Sequence, residues 1–205
     1  MSTPKRIVLA SNNVKKLGEL QALFEPLGVE LVTQGSLGIP EVEEPFQTFV
    51  ENALTKARHA ALASGLPALA DDSGLTVKAL NGAPGVLSAR YATLFGEPKS
   101  DSDNNRVLIQ HMSNYTQTEQ RQAAFICALV AVHHAQDPEP LIAMGRWRGE
   151  LLTELRGEHG FGYDPLMYIP SLAKTVAELP AAVKNIYSHR ALASAQLLRL
   201  MREAW

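Results

Sequence analysis

The sequence predicts an α/β or mixed α+β fold, on three observations. Short β-branched strands and amphipathic helices interleave from end to end, a pair of long apolar strands flanks a single turn, and no repeat, low-complexity tract or flexible linker divides the chain. With 205 residues, one compact unit or two closely fused lobes are expected. A chain of this size buries roughly 70% of its unfolded surface, so neither disulfide nor structural metal is needed.

Arg6 to Ala10 is a short apolar run closed by the polar turn Ser11-Asn12-Asn13, hence a strand. A helical pattern follows from about Lys15 to Phe24, and Pro26 and Gly28 end it. Glu30 to Thr33 reads as a second strand, followed by a loop from Gly35 to Pro45. Thr48-Phe49-Val50-Glu51 then forms a capping box opening a long helix to about Ser64, with Phe49, Ala53, Ala57 and Ala60 on one face. Leu66 to Ala70 is a strand that ends in the turn-like Asp71-Asp72-Ser73-Gly74 before Leu75-Thr76-Val77, which puts the carboxylates at a strand edge.

The middle of the chain reads as irregular. Gly82-Ala83-Pro84-Gly85 and Pro98 to Asp103 are loops by composition, the second leading into a helix ending near Met112. Phe125 to His133 and Leu141 to Trp147 are long strands around a turn at residues 136–140, so an antiparallel hairpin and a mixed sheet are expected. Gly157 to Pro165 is a Gly-rich loop, and Leu166 to Ile169 another strand. A last helix runs from Ser188 to Arg202, burying Ala191, Ala195 and Leu198.

Composition excludes several classes. Hydrophobic residues make up 46% and charged residues 20%, with 19 Lys and Arg against 21 Asp and Glu, which is ordinary for a folded protein and excludes a disordered one. The formal charge of −2 lacks the basic excess of a nucleic-acid binder, so phosphate contacts must be local. The single cysteine, Cys127, cannot form an internal disulfide and reads as a buried bystander in a reducing compartment. The apolar run Ala123 to Val132 is too short to cross a bilayer. The N-terminal run Ile7 to Ala10 is too short for a secretory signal, and a cytoplasmic location is expected.

Four clusters could carry chemistry. Ser11-Asn12-Asn13-Val14-Lys15-Lys16 joins the first strand to the first helix, where free N–H groups favour an anion; Ser and Asn are equally the usual capping residues. Glu43-Glu44 precedes the second helix and Asp71-Asp72 follows it, so two carboxylate pairs can gather around a hard cation, or one carboxylate can accept a proton from water. Gly160-Phe161-Gly162-Tyr163-Asp164-Pro165 sets an aromatic between glycines, suited to close backbone approach and stacking, or to a core ring in a tight turn. In Ser188-His189-Arg190, with Lys184 upstream, a cationic first helical turn opposes the macrodipole and calls for an anionic or electron-rich partner. No HExxH or comparable metal spacing links His59, His111, His133, His134 or His159.

Taken together, Ser11-x-Asn13-x-x-Lys16, Phe49-x-Glu51-Asn52-Ala53 with Lys56, Asp71-Asp72-Ser73-Gly74-Leu75, Gly82-Ala83-Pro84-Gly85 with Ser88-Ala89-Arg90-Tyr91, the Gly-Phe-Gly-Tyr-Asp-Pro turn and Ser188-His189-Arg190 resemble the inosine triphosphate pyrophosphatase family. The order and spacing match from the first strand to the last helix. The resemblance implies an α/β fold with an elongated, long mixed β-sheet whose flanking helices form two lobes and a central cleft, in one domain over residues 1–205. It also implies a homodimer, a need for Mg²⁺, and conversion of ITP, dITP or XTP and water to the monophosphate and pyrophosphate. By position, Asp72 would be the general base, and Glu44 and Asp72 would hold the metal, with Asp71 a further candidate. The segment Ser11, Asn12, Asn13, Val14, Lys15, Lys16, together with Lys56, would hold the triphosphate. Ser73, Phe161, Gly162, Tyr163, Asp164, Lys184, His189 and Arg190 would surround the nucleoside. Val183 and Glu158-His159 depart from the family's usual residues and touch pocket detail only.

Two other readings compete. A nucleotide-binding regulatory module without hydrolysis has no use for a crowded acidic site facing a polyanion. A septum-inhibition type of nucleotide pyrophosphatase, acting on canonical or modified pyrimidine nucleotides, fits the His189-Arg190 pair and the Gly-Phe-Gly-Tyr-Asp turn less well than the purine reading.

Overall fold

The computed structural model describes residues 6–25 and 28–205, with the side chain of Lys15 outside the description; the predicted stop at Pro26 also lies outside the described residues. Among the described residues, seven strands form a sheet in the order β2-β1-β3-β4-β5-β6-β7. They are β1 (Arg6–Leu9), β2 (Glu30–Thr33), β3 (Ala68–Val77), β4 (Gln122–Val132), β5 (Leu141–Leu151), β6 (Met167–Ile169) and β7 (Lys174–Thr175). The helices are α1 (Val14–Phe24), α2 (Phe49–Ser64), α3 (Asp101–His111), α4 (Ala181–Tyr187) and α5 (His189–Ala204). Strand β1 is parallel to β2 and β3, whereas β6 is antiparallel to β5 and β7, so the sheet is mixed as expected.

The chain divides into two compact units, one of Met1–Asp72, Cys127–Gly145 and His189–Trp205, the other of Ser73–Ile126 and Arg146–Ser188. In the first, alternate residues of each strand go to opposite cores. Ile7, Leu9, Leu69, Cys127 and Leu129 pack with Leu20 and Phe24 of α1 and Leu197 and Met201 of α5. Val8, Ala68, Ala70, Ala128 and Val130 pack with Ala53, Ala57 and Ala60 of α2. Both faces being covered, β4 can afford an unbroken apolar run, and its residues from Ala123 to Val132 are all buried. In the second unit, Leu75, Val77, Phe125 and Trp147 form a core with Val107 and Leu108 of α3 and with Tyr91 and Tyr163. No helix among the described residues is long and apolar enough to cross a membrane.

The differences from expectation have local causes. Asp71-Asp72-Ser73-Gly74 is not a turn but the middle of β3, because the buried Asp71 finds cationic partners and Gly74 leaves room for the Gly85 carbonyl and Ser88, which a Cβ there would meet. Helix α3 starts at Asp101 and takes the last three residues of the expected loop, where the Ser100 hydroxyl caps the Asp103 N–H at 3.0 Å. Helix α4 occupies a stretch to which the sequence assigned no element. On α5 the buried stripe includes Arg190, Ala193, Ser194, Leu197 and Met201, while Ala195 is exposed; two polar residues on the inner face shifted the phase that apolar spacing suggested.

Candidate active site

The predicted site residues divide between the two units. In the first, Asn13 caps α1, its Oδ1 accepting the Lys16 N–H at 3.1 Å, while the Ser11 hydroxyl accepts the Asn13 N–H at 3.1 Å. Asn12 and Val14 are exposed. This geometry aims Lys16 at β3, where its ammonium pairs with the Asp71 carboxylate. Asp71 also receives the Arg190 Nε–H at 2.9 Å and the Cys127 thiol at 3.2 Å. Arg190 in turn donates to Glu19 of α1. Here is the anionic partner that the cationic start of α5 demanded: the guanidinium, 1% exposed, is satisfied by two carboxylates of its own unit.

Electrostatics follow from these partners. Burial pushes the Asp71 carboxyl up, but Arg190 and Lys16 outweigh it and hold the group well below 3.8. Burial, reinforced by Asp71, drives the Cys127 thiol well above 9.0, so it stays neutral. His189 is buried at the first turn of α5, and its carbonyl lies against Gly145, where any Cβ would overlap it.

The neighbouring Asp72 points to the α2 side. Lys56 of α2 lies between two carboxylates, 2.6 Å from Glu44 Oε1 and 3.3 Å from Asp72 Oδ1. Burial lowers the Lys56 pKa, yet Asp72 and Glu44 more than reverse this and keep it a cation. For Asp72 the balance goes the other way. Burial raises its pKa above 3.8, Lys56 opposes, and the Glu44 and Asp71 charges add to the rise. Asp72 Oδ2 is buried with no hydrogen-bond partner among the described residues. The loop bearing Glu44 is fixed by Asn52, whose amide accepts the Phe46 N–H at 3.0 Å and donates to the Phe46 carbonyl at 3.1 Å. Among the described residues no group of three or more His, Cys, Asp or Glu side chains could hold a metal ion, so a cation here would rest on the pair Glu44 and Asp72.

The second unit holds the aromatic turn and Ser73, which is half-buried in β3. Lys184 of α4 donates to Asp164 Oδ2 at 2.8 Å and lies 4.6 Å from the centroid of the Phe161 ring, a cation–π contact. Asp164 also accepts the Phe161 N–H at 3.0 Å. Tyr163 is a core residue, its hydroxyl donating to the Ser88 carbonyl at 2.9 Å. The turn therefore presents a half-buried Phe161 and a peptide backbone, while Tyr163 and Asp164 face inward.

Sequence reasoning missed the supporting residues Glu19, Asp101 and Asn105, and it named Asn52 within a motif without its role of fixing the Phe46 backbone. Glu19 and Asn105 were visible only as polar residues whose partners, Arg190 and Gly162, lie far along the chain.

The sequence profile of the Ham1 family matches residues 7–200. The dITP/XTP pyrophosphatase of Leptothrix cholodnii (strain ATCC 51168 / LMG 8142 / SP-6) is 60% identical over 98% of this chain and 98% of its own. That of Polaromonas naphthalenivorans (strain CJ2) is 59% identical over 98% and 99%. Among solved structures, a HAM1 protein from Coxiella burnetii has a TM-score of 0.90 at 46% identity, covering 98% of this chain and 100% of its own. The Staphylococcus aureus Ham1 protein has a TM-score of 0.85 at 38% identity, with the same coverage.

Proposed function

The chain belongs to the Ham1 family, and from that premise we propose that it hydrolyses non-canonical purine nucleoside triphosphates, dITP, XTP and ITP, to the monophosphate and pyrophosphate. The observation that carries this reading is Asp72: a buried carboxylate with one unpartnered oxygen, beside Glu44 and Lys56. Burial and the neighbouring Glu44 and Asp71 charges raise its pKa, which makes it a better proton acceptor than a solvated carboxylate.

In the reaction, water attacks the α-phosphorus, the bond from that phosphorus to the bridging oxygen breaks, and pyrophosphate leaves. Asp72 takes the proton of the attacking water. Lys16 and Lys56, together with the capped turn Ser11 to Asn13 and the first N–H groups of α1, lie in the same unit as Asp72 and would neutralise the triphosphate. The unpartnered Asp72 oxygen and the Glu44 carboxylate are hard oxygen donors that fit a small divalent cation, of which Mg²⁺ typically takes one or two carboxylates plus phosphate oxygens. Such an ion, when bound, supplies charge neutralisation on the phosphates.

In the nucleoside half of the reading, Phe161 stacks on the base, Ser73 and the Gly162 to Asp164 backbone border it, and Lys184 donates to its 6-keto edge. Arg190 acts through Asp71, which it holds in place. The protein works as a cytoplasmic homodimer in this reading. A pyrophosphate-release panel over natural and deaminated triphosphates, with and without Mg²⁺, tests it. Turnover of ITP, dITP and XTP far above ATP and GTP, and only with the metal, is expected; equal rates on ATP and ITP overturn it.

A further inference from the structure

We propose that Asn105 and Asp101 of α3 are positioning residues for the Phe161 turn, and that through it they set how tightly and how selectively the nucleobase is held. The inference rests on the proposed function and deepens it. The turn from Gly160 to Asp164 needs left-handed backbone at Gly160 (φ 79°) and Gly162 (φ 60°), conformations that glycine enters and leaves freely. At Gly160 no other residue fits, since a Cβ would run into the Asp164 carboxylate. Something outside the turn must therefore fix the Gly162 backbone.

Helix α3 does so from both sides. The Gly162 N–H donates to Asp101 Oδ2 at 2.8 Å, and the Gly162 carbonyl accepts the Asn105 Nδ2–H at 2.8 Å. The same Asn105 nitrogen donates to the Asp101 carbonyl at 2.8 Å, so the two clamp residues are tied to one another. Asn105 is 4% exposed, yet its Oδ1 is buried with no partner among the described residues. A buried amide with an orphan oxygen costs stability relative to a similarly shaped apolar residue. Fold stability alone does not call for an amide there; holding the Gly162 carbonyl does. Neighbouring Asn104 faces a different segment, bonding the Ala92 N–H at 2.8 Å and the Ala89 carbonyl at 3.3 Å, so the duty falls on Asn105 and Asp101 specifically.

The test compares Asn105→Leu, Asp101→Ala and Asp101→Asn with the wild-type protein. It reads kcat and KM for ITP and for ATP, together with hydrogen exchange of the Gly162 amide by NMR. Asn105→Leu and Asp101→Ala should raise KM for ITP about tenfold with kcat within about threefold, and narrow the ITP-to-ATP preference, since misplacement of a positioning group by about 1 Å can cost as much as 10²-fold. Gly162 exchange should quicken in both. Asp101→Asn keeps an acceptor oxygen and should restore wild-type KM and exchange. Asp101 is exposed, so its variants report on the clamp even if Asn105→Leu does not fold. Unchanged KM, preference and Gly162 exchange in Asp101→Ala overturn the proposal while leaving the proposed function standing. A wild type that does not turn over ITP overturns the function on which the proposal rests.

Discussion

Adjacent carboxylates, Asp71 and Asp72, have their pKa values shifted in opposite directions because alternate residues of a strand face opposite sides. Asp71 is surrounded by Arg190, Lys16 and the Cys127 thiol, whereas Asp72 keeps one partnerless oxygen. Asp72→Asn should therefore lower turnover by roughly 10²–10⁴-fold, the usual worth of a general base, with the fold retained. The stability sign is also fixed. A carboxyl whose folded pKa is raised stabilises the fold below its unfolded value of 3.8 and loses that contribution as pH rises through the folded value. Melting curves at several pH values should thus show wild type losing ground to Asp72→Asn as pH increases above 3.8. For Asp71 the sign is reversed, its contribution being present above 3.8 and lost as pH falls through the depressed folded value. Removing its partner with Arg190→Ala leaves Asp71 and Glu19 without their shared cation and should cost roughly 3–5 kcal/mol in a urea titration. Asp72 and Glu44 were legible in the sequence as members of two carboxylate pairs, Lys56 only through the family resemblance, and the cationic first turn of the last helix announced a missing anion. That the anions are Asp71 and Glu19 was not legible, since 119 and 171 residues separate the pairs.

Elements whose pattern is local were readable to the residue. The second strand and the second helix, with its Thr48 cap accepting the Glu51 N–H at 3.3 Å, fall where the capping box and β-branched run put them. Elements decided by tertiary contact were not. Strand β3 runs through Asp71 to Gly74 because ion pairs remove the need for those carboxylates to reach water, and α5 turns Arg190 inward for the same kind of reason. Strand β5 depends on such a contact at Gly145, where a side chain would meet the His189 carbonyl and the Ala193 N–H at the start of α5. Both neighbours are backbone and cannot rotate away. Gly145→Ala should destabilise by at least about 2 kcal/mol, or roughly 4–8 °C in melting temperature for a chain this long, measured by scanning calorimetry. An unchanged melting temperature would mean that α5 slides at no cost.

For the molecule as a whole, charge is arranged so that salt should act on catalysis and hardly on folding. The pairs with the least solvent are Asp71 with Arg190, at 0% and 1% side-chain exposure, and Lys184 with Asp164, at 9% and 5%; buried pairs are screened weakly. The open pairs, Arg6 with Glu30 and Arg156 with Glu154, are more than half exposed on every side chain and are worth about 0–1 kcal/mol each. Composition already hinted at this, since a chain of charge −2 has little self-repulsion for salt to relieve, but which pairs are buried was beyond sequence reasoning. Raising sodium chloride from about 0.05 to 0.5 M, which shortens the Debye length about threefold, should therefore shift the melting temperature by only about 2–4 °C. A triphosphate approaching Lys16 and Lys56 from water meets them before they are sealed, 18% and 12% of those side chains being exposed. Its attraction is screened, so KM for ITP should rise over the same salt range while kcat holds. Parallel loss of melting temperature and KM would instead mean that the exposed charges hold the fold, and that binding weakens because the protein does.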